Sequence, residues 1–295
     1  MFDLEGEVVN PGQKRGILFL HGFLGDENEF KHIGRNFERT HSVVYASLSS
    51  VSPKGFVMPA KAGIQSRTTG EIRNSREAIA VLLEARLQQR PSIALDASFR
   101  WHDKLPRTQW HLVGYSMGGR IALQLACRWP HLIHRLTLIS ASPGLETARE
   151  RRARFLADDL LANQMRRTSM RDFLAFWYRQ PLFRQFRAHP RFQELFTRRL
   201  QHDPHEMADT LLSYSTGTLP PLWERLAHLT IPTEFICGEQ DAKFCDIGRR
   251  LTKLNPQIQL RVVANVGHVV HWEAPNAVTQ GIIHVENRMA IGQGL

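Results

Sequence analysis

The residues best suited to chemistry lie in a five-residue turn with the pattern Gly-x-Ser-x-Gly. The turn runs from Gly114 to Gly118 and carries Ser116 at its centre. Glycines at the flanking positions let the backbone turn where side chains would collide, which leaves the serine hydroxyl exposed at the start of a helix. Backbone N–H groups and the helix dipole favour negative charge at that point. The pattern therefore predicts a reactive serine.

Such a turn needs a strand before it and a helix after it, and the sequence supplies both. Trp110–Gly114 is a short apolar run, and the apolar spacing from Arg120 to Cys127 is typical of a buried helix. Other apolar runs alternate with helical patterns, which indicates an α/β fold with a mostly parallel sheet and helices on both faces. The other predicted strands are 16–20, 42–46, 134–140, 232–237 and 259–264.

Two segments depart from this alternation. Residues 147–216 show no strand pattern and are rich in Arg, Leu, Phe and Ala, which predicts several short helices, one of them around Met170–Tyr178. Because this segment lies between two predicted strands, we expect a helical lid. The rest of the chain, 1–146 and 217–295, is the predicted core domain.

The second segment, 48–108, is longer than the one loop and one helix that the fold requires. A helix is predicted to begin at Asn74, where Glu77 completes a pattern similar to a capping box. The flanks 49–73 and 92–107 are rich in Ser, Pro, Gly and basic residues and lack periodicity. We expect them to be inserted surface loops.

The strand, turn and helix around Ser116 resemble the nucleophile turn of enzymes with the α/β-hydrolase fold. In that fold an acid and then a histidine follow the serine along the chain, and together they activate its hydroxyl. Asp241 follows the predicted strand 232–237, and His268 follows 259–264. Both therefore belong to the sheet edge where ligands bind in open α/β sheets. The resemblance implies a catalytic triad of Ser116, Asp241 and His268.

Alternatives to two members of this triad remain open from the sequence. Asp241 is also placed to cap the following helix, in which case Asp246 or Glu239 is the acid. His271 lies three residues after His268 and is a second candidate for the base.

Two backbone N–H groups are expected to bind the negative oxygen that develops during the reaction. One belongs to Met117, which follows the serine, and the other to Phe23 in the loop after the first apolar run. The nearby His21 is expected to order that loop rather than to take part in chemistry.

Composition favours a cytoplasmic enzyme without a metal ion or cofactor. The chain has 295 residues, three cysteines without a CxxC spacing, an acidic N-terminal segment and no apolar run long enough to span a bilayer. The net charge is +10, but the arginines are dispersed and form no known nucleic-acid module. We therefore expect neither nucleic acid nor membrane as partner, and the sequence leaves the oligomeric state open.

A narrower resemblance covers most of the chain on both sides of 48–108. In these parts the chain is similar to the 2-succinyl-6-hydroxy-2,4-cyclohexadiene-1-carboxylate synthases of menaquinone biosynthesis. Those enzymes are lyases whose triad removes a proton from the substrate ring, after which pyruvate leaves in a 1,4-elimination. The stretches that carry the resemblance are 20–26, 112–122, 142–145, 176–181, 237–244 and 267–273.

The resemblance implies a pocket for a small anionic polycarboxylate, since guanidinium groups in fixed positions bind carboxylates. It assigns substrate binding to three arginines and two aromatic residues, and Arg198 is an alternative to one of these arginines, Arg199. An arginine on the lid is otherwise a solvated surface residue, and the tryptophan could equally belong to the lid core. The implied residues are Arg120, Arg154, Arg199, Tyr115 and Trp177.

One departure from the family pattern keeps other functions open. After the strand 42–46 the family continues into Asp-Leu-Pro-Gly-His-Gly, whereas this chain runs into Ser47-Leu48-Ser49-Ser50 and the inserted segment. The leading hypothesis is the lyase. The alternatives are a carboxylic-ester hydrolase that uses the same triad by nucleophilic acyl transfer, and a catalytically inactive relative. The three arginines distinguish the two activities, because a pocket for a polycarboxylate needs them and a pocket for neutral esters does not.

Overall fold

A computed structural model of the chain describes residues 5–48 and 109–288. The predicted helix that begins at Asn74 and the predicted loops 49–73 and 92–107 lie outside these residues. Among the described helices, none combines the length and the apolar content that crossing a bilayer requires.

In the described residues, seven strands form one sheet in the order β1-β3-β2-β4-β5-β6-β7. Strand β1 pairs antiparallel with β3, and every other neighbouring pair is parallel. The predicted mostly parallel sheet is therefore confirmed. The strands are β1 (Glu5–Val9), β2 (Arg15–Leu20), β3 (Ser42–Ser47), β4 (Gln109–Tyr115), β5 (Ile133–Ile139), β6 (Thr233–Gly238) and β7 (Ile258–Val263).

The helices lie between and after these strands, and two 3-10 turns (Pro130–Leu132 and Pro181–Phe183) join some of them. The predicted helices at 120–127 and around Met170–Tyr178 are both confirmed. The described helices are α1 (Lys31–Gly34), α2 (Met117–Arg128), α3 (Ala148–Arg167), α4 (Met170–Tyr178), α5 (Arg184–Arg187), α6 (Phe192–Arg199), α7 (Pro204–Ser213), α8 (Trp223–Ala227), α9 (Ala242–Leu254), α10 (Val270–Glu273) and α11 (Pro275–Glu286).

Helices cover both faces of the sheet, which explains why its strands appear as continuous apolar runs in the sequence. Leu18 and Leu20 of β2 pack on one face together with helices α2 and α9. Ile17 and Phe19 of the same strand pack on the other face with helix α11. Because alternate residues of a strand point to opposite faces, both sets must be apolar in a sheet that is buried on both faces.

Helices α3 to α7 all lie between β5 and β6, in the segment predicted to be a lid. They share a core that includes Phe173 and Leu211 and that also contacts Val269 and Trp272 next to the sheet. A capping box fixes the start of α3. The Thr147 hydroxyl accepts from the Glu150 N–H, and the Glu150 carboxylate accepts from the Thr147 N–H.

Candidate active site

Ser116 lies between β4 and α2 in a strained backbone conformation. Its φ of 49° and ψ of −106° are unusual for a residue with a side chain. The glycines of the turn are required by close packing. A Cβ at Gly114 would lie 2.6 Å from the Gly118 carbonyl oxygen, and a Cβ at Gly118 would lie 2.2 Å from that of Leu20. At Gly118 the turn thus packs closely against the end of β2.

The structure brings the three predicted triad residues together. Ser116 Oγ lies 3.4 Å from His268 Nε2, and Asp241 Oδ2 lies 2.6 Å from His268 Nδ1. Asp241 and His268 are both buried. A buried carboxylate at Nδ1 keeps the proton on that nitrogen, which leaves Nε2 free to accept the serine proton. The geometry is that of a serine activated by a histidine.

The two loops that carry the acid and the histidine are held against each other by Gly238, the last residue of β6. A Cβ there would lie 2.1 Å from the Gly267 carbonyl oxygen and 2.2 Å from that of Val266. The Gln240 N–H also donates to the Val266 carbonyl at 2.9 Å. Glycine at this position therefore permits the approach of Asp241 to His268.

The alternative acids and the alternative base make other contacts. Asp246 is exposed and pairs with Arg249 at 2.7 Å, and the Glu239 carboxylate accepts from the Asn265 N–H at 3.1 Å. His271 Nε2 donates to the Glu29 carboxylate at 2.9 Å. In the described residues, the hydrogen bonds connect Ser116 to His268 and Asp241 and not to these alternatives.

The two predicted oxyanion donors lie on backbone segments that touch each other. Met117 is the first residue of α2, and the first N–H groups of a helix have no acceptor within the helix. Phe23 follows β2, whose end contacts Gly118. His21 orders this loop, since its Nδ1 donates to the Gly22 carbonyl at 2.8 Å and its Nε2 accepts from the Leu48 N–H at 2.9 Å.

Arg120 and Arg154 lie in one group of cations close to the serine turn. Arg120, on the first turn of α2, donates to the Tyr214 carbonyl at 2.8 Å, and its buried Nε has no partner among the described residues. Burial and the nearby charge of Arg154 lower the pKa of Arg120 to about 10. Arg154 Nε donates to both carboxylate oxygens of Asp158, at 2.8 and 2.9 Å. The group is thus crowded with positive charge.

Lys243 is a third cation of this group and was not predicted from the sequence. Burial and the charge of Arg154 lower the pKa of Lys243, Asp241 opposes this, and Arg120 lowers it further. Its position two residues after the predicted acid, in the first turn of the helix that follows β6, is the signal that points to it in the sequence. Three neighbouring cations that repel one another are typical of a site for an anionic ligand.

Arg199 belongs to a different group and is buried, although a solvated lid surface was the alternative for it. Its Nη2 donates to Glu29 at 3.1 Å and its Nη1 donates to the Tyr178 hydroxyl. Arg198 pairs with Asp26 at a more exposed position. Of the two alternative arginines, Arg199 is therefore the one inside the protein. Glu29 was missed from sequence because its contacts are distant along the chain.

The predicted aromatic residues Tyr115 and Trp177 both lie near the serine turn. The buried Tyr115 ring lies 5.3 Å from that of His268 and 4.2 Å from that of His271. The half-buried Trp177 ring meets Phe23 edge-on at 5.3 Å and stacks on Phe173 at 6.1 Å. Trp177 thus contacts both the loop after β2 and the core shared by α3–α7.

Within 5–48 and 109–288, no group of three or more His, Cys, Asp or Glu side chains is arranged to hold a metal ion.

The comparisons with known proteins define the class of protein. A family model described as the alpha/beta hydrolase fold matches residues 92–275. The chain belongs to this family, and its sheet, its serine turn and the order of the three residues along the chain agree with that assignment.

Within the family, similar proteins carry one recurring name. A Bacillus subtilis (strain 168) protein, inferred to be a 2-succinyl-6-hydroxy-2,4-cyclohexadiene-1-carboxylate synthase, is 37% identical over 59% of this chain and 64% of its own length, which is less than two thirds. The synthase of Salmonella paratyphi C is 29% identical over 93% of this chain and 96% of its own. The structure of MenH from S. aureus matches with a TM-score of 0.72 and 27% identity over 97% and 98% of the two chains.

Proposed function

We propose that this chain is a carbon–oxygen lyase of menaquinone biosynthesis. It eliminates pyruvate from 2-succinyl-5-enolpyruvyl-6-hydroxy-3-cyclohexene-1-carboxylate and gives 2-succinyl-6-hydroxy-2,4-cyclohexadiene-1-carboxylate. Relatives that match nearly its whole length are named after this product. The structural observation that carries the proposal is the cation group of Arg120, Arg154 and Lys243 close to a serine activated by a histidine.

The charges explain why a polycarboxylate is the proposed substrate. Three cations held together lose free energy by mutual repulsion, and an anion of several carboxylates offsets this cost. Asp158 neutralises part of the charge of Arg154, but the buried Nε of Arg120 keeps an unpaired donor. A neutral ester would leave this group uncompensated. The partner is therefore a small anion, and we place the reaction in the cytoplasm.

The proposed reaction uses the triad as a base. His268 Nε2 takes the Ser116 proton, and the serine oxygen removes a proton from the ring carbon of the substrate. The electron pair of that C–H bond forms a new C=C bond, the ring double bond shifts, and the C–O bond to the enolpyruvyl group breaks. The enolate that leaves takes up one proton and becomes pyruvate. Asp241 stabilises the positive charge on His268 while the proton is held there.

The remaining residues have supporting roles in this proposal. The backbone N–H groups of Phe23 and Met117 bind the substrate oxygen that gains negative charge as the proton leaves. Tyr115 and Trp177 line the pocket, Arg199 binds a further carboxylate, and residues 147–216 form the lid that excludes water from it.

The test is a pyruvate-release assay with the purified protein and its proposed substrate, coupled to lactate dehydrogenase and NADH. We expect turnover by the natural chain, and a loss of about 10³-fold or more in Ser116→Ala. Ser142→Ala is the matched control, since the Ser142 hydroxyl accepts from the Gly144 N–H away from His268, and it should keep its rate.

A p-nitrophenyl acetate assay is run in parallel. Rapid ester hydrolysis without pyruvate release would make the protein an esterase and end the lyase proposal. Silence in both assays, with the protein folded by circular dichroism, would identify it as an inactive relative.

A further inference from the structure

One carboxylate oxygen of Glu29 is the centre of a buried network beside the serine turn. Glu29 lies between β2 and α1 and is 1% exposed. Its Oε1 accepts from His271 Nε2 at 2.9 Å, from Trp272 Nε1 at 3.2 Å and from Arg199 Nη2 at 3.1 Å. Three donors from two helices therefore fix the position of this carboxylate.

The donors come from two different parts of the molecule. His271 and Trp272 belong to α10, which begins two residues after His268, whereas Arg199 is the last residue of α6, between β5 and β6. Arg199 also donates to the hydroxyl of Tyr178 at the end of α4. Glu29 is thus held by the helix that follows the triad histidine, and it holds in turn an arginine of the predicted lid.

The charges of this network depend on each other. Burial by itself would raise the pKa of Glu29, but the charge of Arg199 and the hydrogen bond from His271 outweigh it and hold that pKa well below its usual range. Arg199 is likewise buried, and an arginine without a counter-ion in such a place is strongly destabilised. Glu29 is therefore the counter-ion that stabilises the buried charge of Arg199.

The network reaches the serine turn through Tyr115, the residue before Ser116. The Tyr115 ring lies 4.2 Å from that of His271. Burial raises the pKa of Tyr115, and the charge of Arg199 is the largest effect that opposes it, which places Arg199 near the tyrosine. Arg199 Nε is buried and has no partner among the described residues, so the guanidinium keeps a donor that protein groups do not use.

We propose that Glu29 is a positioning residue: it holds Arg199 as a fixed cation beside Tyr115, where the guanidinium binds a carboxylate of the substrate. This inference rests on the proposed function for the identity of the ligand, and on the network alone for the position of Arg199. Its effect is on substrate binding, because Glu29 has no contact with Ser116 or His268 among the described hydrogen bonds.

The first test compares Glu29→Gln with Asp26→Asn in the full chain. Glu29→Gln keeps the shape and removes the charge, and we expect KM for pyruvate release to rise about tenfold or more while kcat changes by less than about threefold. Glu29→Asp, which keeps the charge, should recover part of the loss. Asp26→Asn removes the neighbouring and more exposed pair with Arg198, and it should leave KM within about twofold.

A double variant separates positioning of Arg199 from general damage to the fold. If Glu29 acts through Arg199, the variant Glu29→Gln/Arg199→Gln has the KM of Arg199→Gln alone. It also leaves no lone buried charge, so it is expected to fold even if Glu29→Gln does not. A KM that rises by the product of the two single effects would overturn the proposal.

A measurement without substrate keeps this proposal distinct from the proposed function. The Nε–H signal of Arg199 in a ¹H–¹⁵N NMR spectrum, assigned by its loss in Arg199→Lys, should be protected from exchange in the natural chain. It should lose that protection in Glu29→Gln but keep it in Asp26→Asn. An Nε–H signal unchanged by Glu29→Gln would refute the positioning role, whether or not the protein releases pyruvate.

Discussion

Asp241 Oδ2 lies 2.6 Å from His268 Nδ1, and both side chains are buried at the ends of neighbouring strands. We expect Asp241→Asn to lower the turnover number for pyruvate release by about 10²–10⁴-fold, because an amide no longer fixes the tautomer of the histidine. Asp246→Asn is the matched control, since this exposed carboxylate lies five residues after Asp241 and pairs with Arg249. Equal losses in the two variants would remove Asp241 from the triad.

Arg120 offers a test of the cation group. Arg120→Ala should raise KM by about tenfold or more, since a charged hydrogen bond to substrate is worth about 1.5–3 kcal/mol. Steady-state kinetics with the polycarboxylate substrate measures this, and p-nitrophenyl acetate hydrolysis, if present, should change little. Arg128→Ala, at the other end of the same helix and over the Trp129 ring, is the control. Unchanged KM in Arg120→Ala would exclude Arg120 from substrate binding.

His271 predicts a loss of stability in acid. Burial is the main cause that lowers its pKa from 6.5 to about 4, and the hydrogen bond to Glu29 opposes it. Between these values the unfolded chain binds a proton that the folded chain does not, so the free energy of unfolding falls as the pH falls from 6.5 towards 4. The contribution of one such group is up to about 1.4 kcal/mol per pH unit.

Urea unfolding at several pH values within that window measures this effect. His271→Gln should show a smaller pH slope than the natural chain, since one buried titrating group is gone. His205→Gln, which changes an exposed histidine at the start of α7, should leave the slope as it is. A slope that His271→Gln does not reduce would show that His271 is not the source of the acid sensitivity.

A side chain at position 118 is expected to disturb the serine turn by steric overlap. A Cβ there would lie 2.2 Å from the Leu20 carbonyl oxygen and 2.4 Å from that of His21. Gly118→Ala should therefore lower the free energy of unfolding by about 1–3 kcal/mol and reduce activity strongly, since the turn must shift. Gly12→Ala is the control: it places a side chain at a φ of 95°, but nothing lies within 4 Å of the added Cβ. It should lose some stability and no activity, as thermal unfolding and the pyruvate assay can show.

The sheet was predictable because its strands are buried on both faces. The runs that begin near Gly16, Ser42 and Trp110 are apolar throughout, and the structure places strands there within one or two residues. Strand β1 was not predicted. It is a short edge strand, Glu5–Val9, with a glycine and two acids in five residues, and only its pairing with β3 makes it a strand.

The site was predictable where chain order determines position. Ser116, Asp241 and His268 each follow a strand of one parallel sheet, so their meeting at one edge follows from the topology. The partner of Arg199 was not predictable, because Glu29 is separated from it by 170 residues and no local pattern marks the contact. Lys243 was missed for another reason: a lysine in the first turn of a helix is ordinarily solvated, and only its neighbours Arg120 and Arg154 make it part of a site.

Strands β5 and β6 pair directly, with Leu136 opposite Thr233 and Ile139 opposite Ile236, although residues 140–232 lie between them. The chain therefore leaves the sheet at the end of β5, forms the helices α3 to α7, and returns to the sheet at the neighbouring strand β6. Insertions or deletions in that segment change no strand register and leave the serine turn in place. In evolutionary terms, and under the proposed function, the lid can diverge with little effect on the residues that transfer the proton.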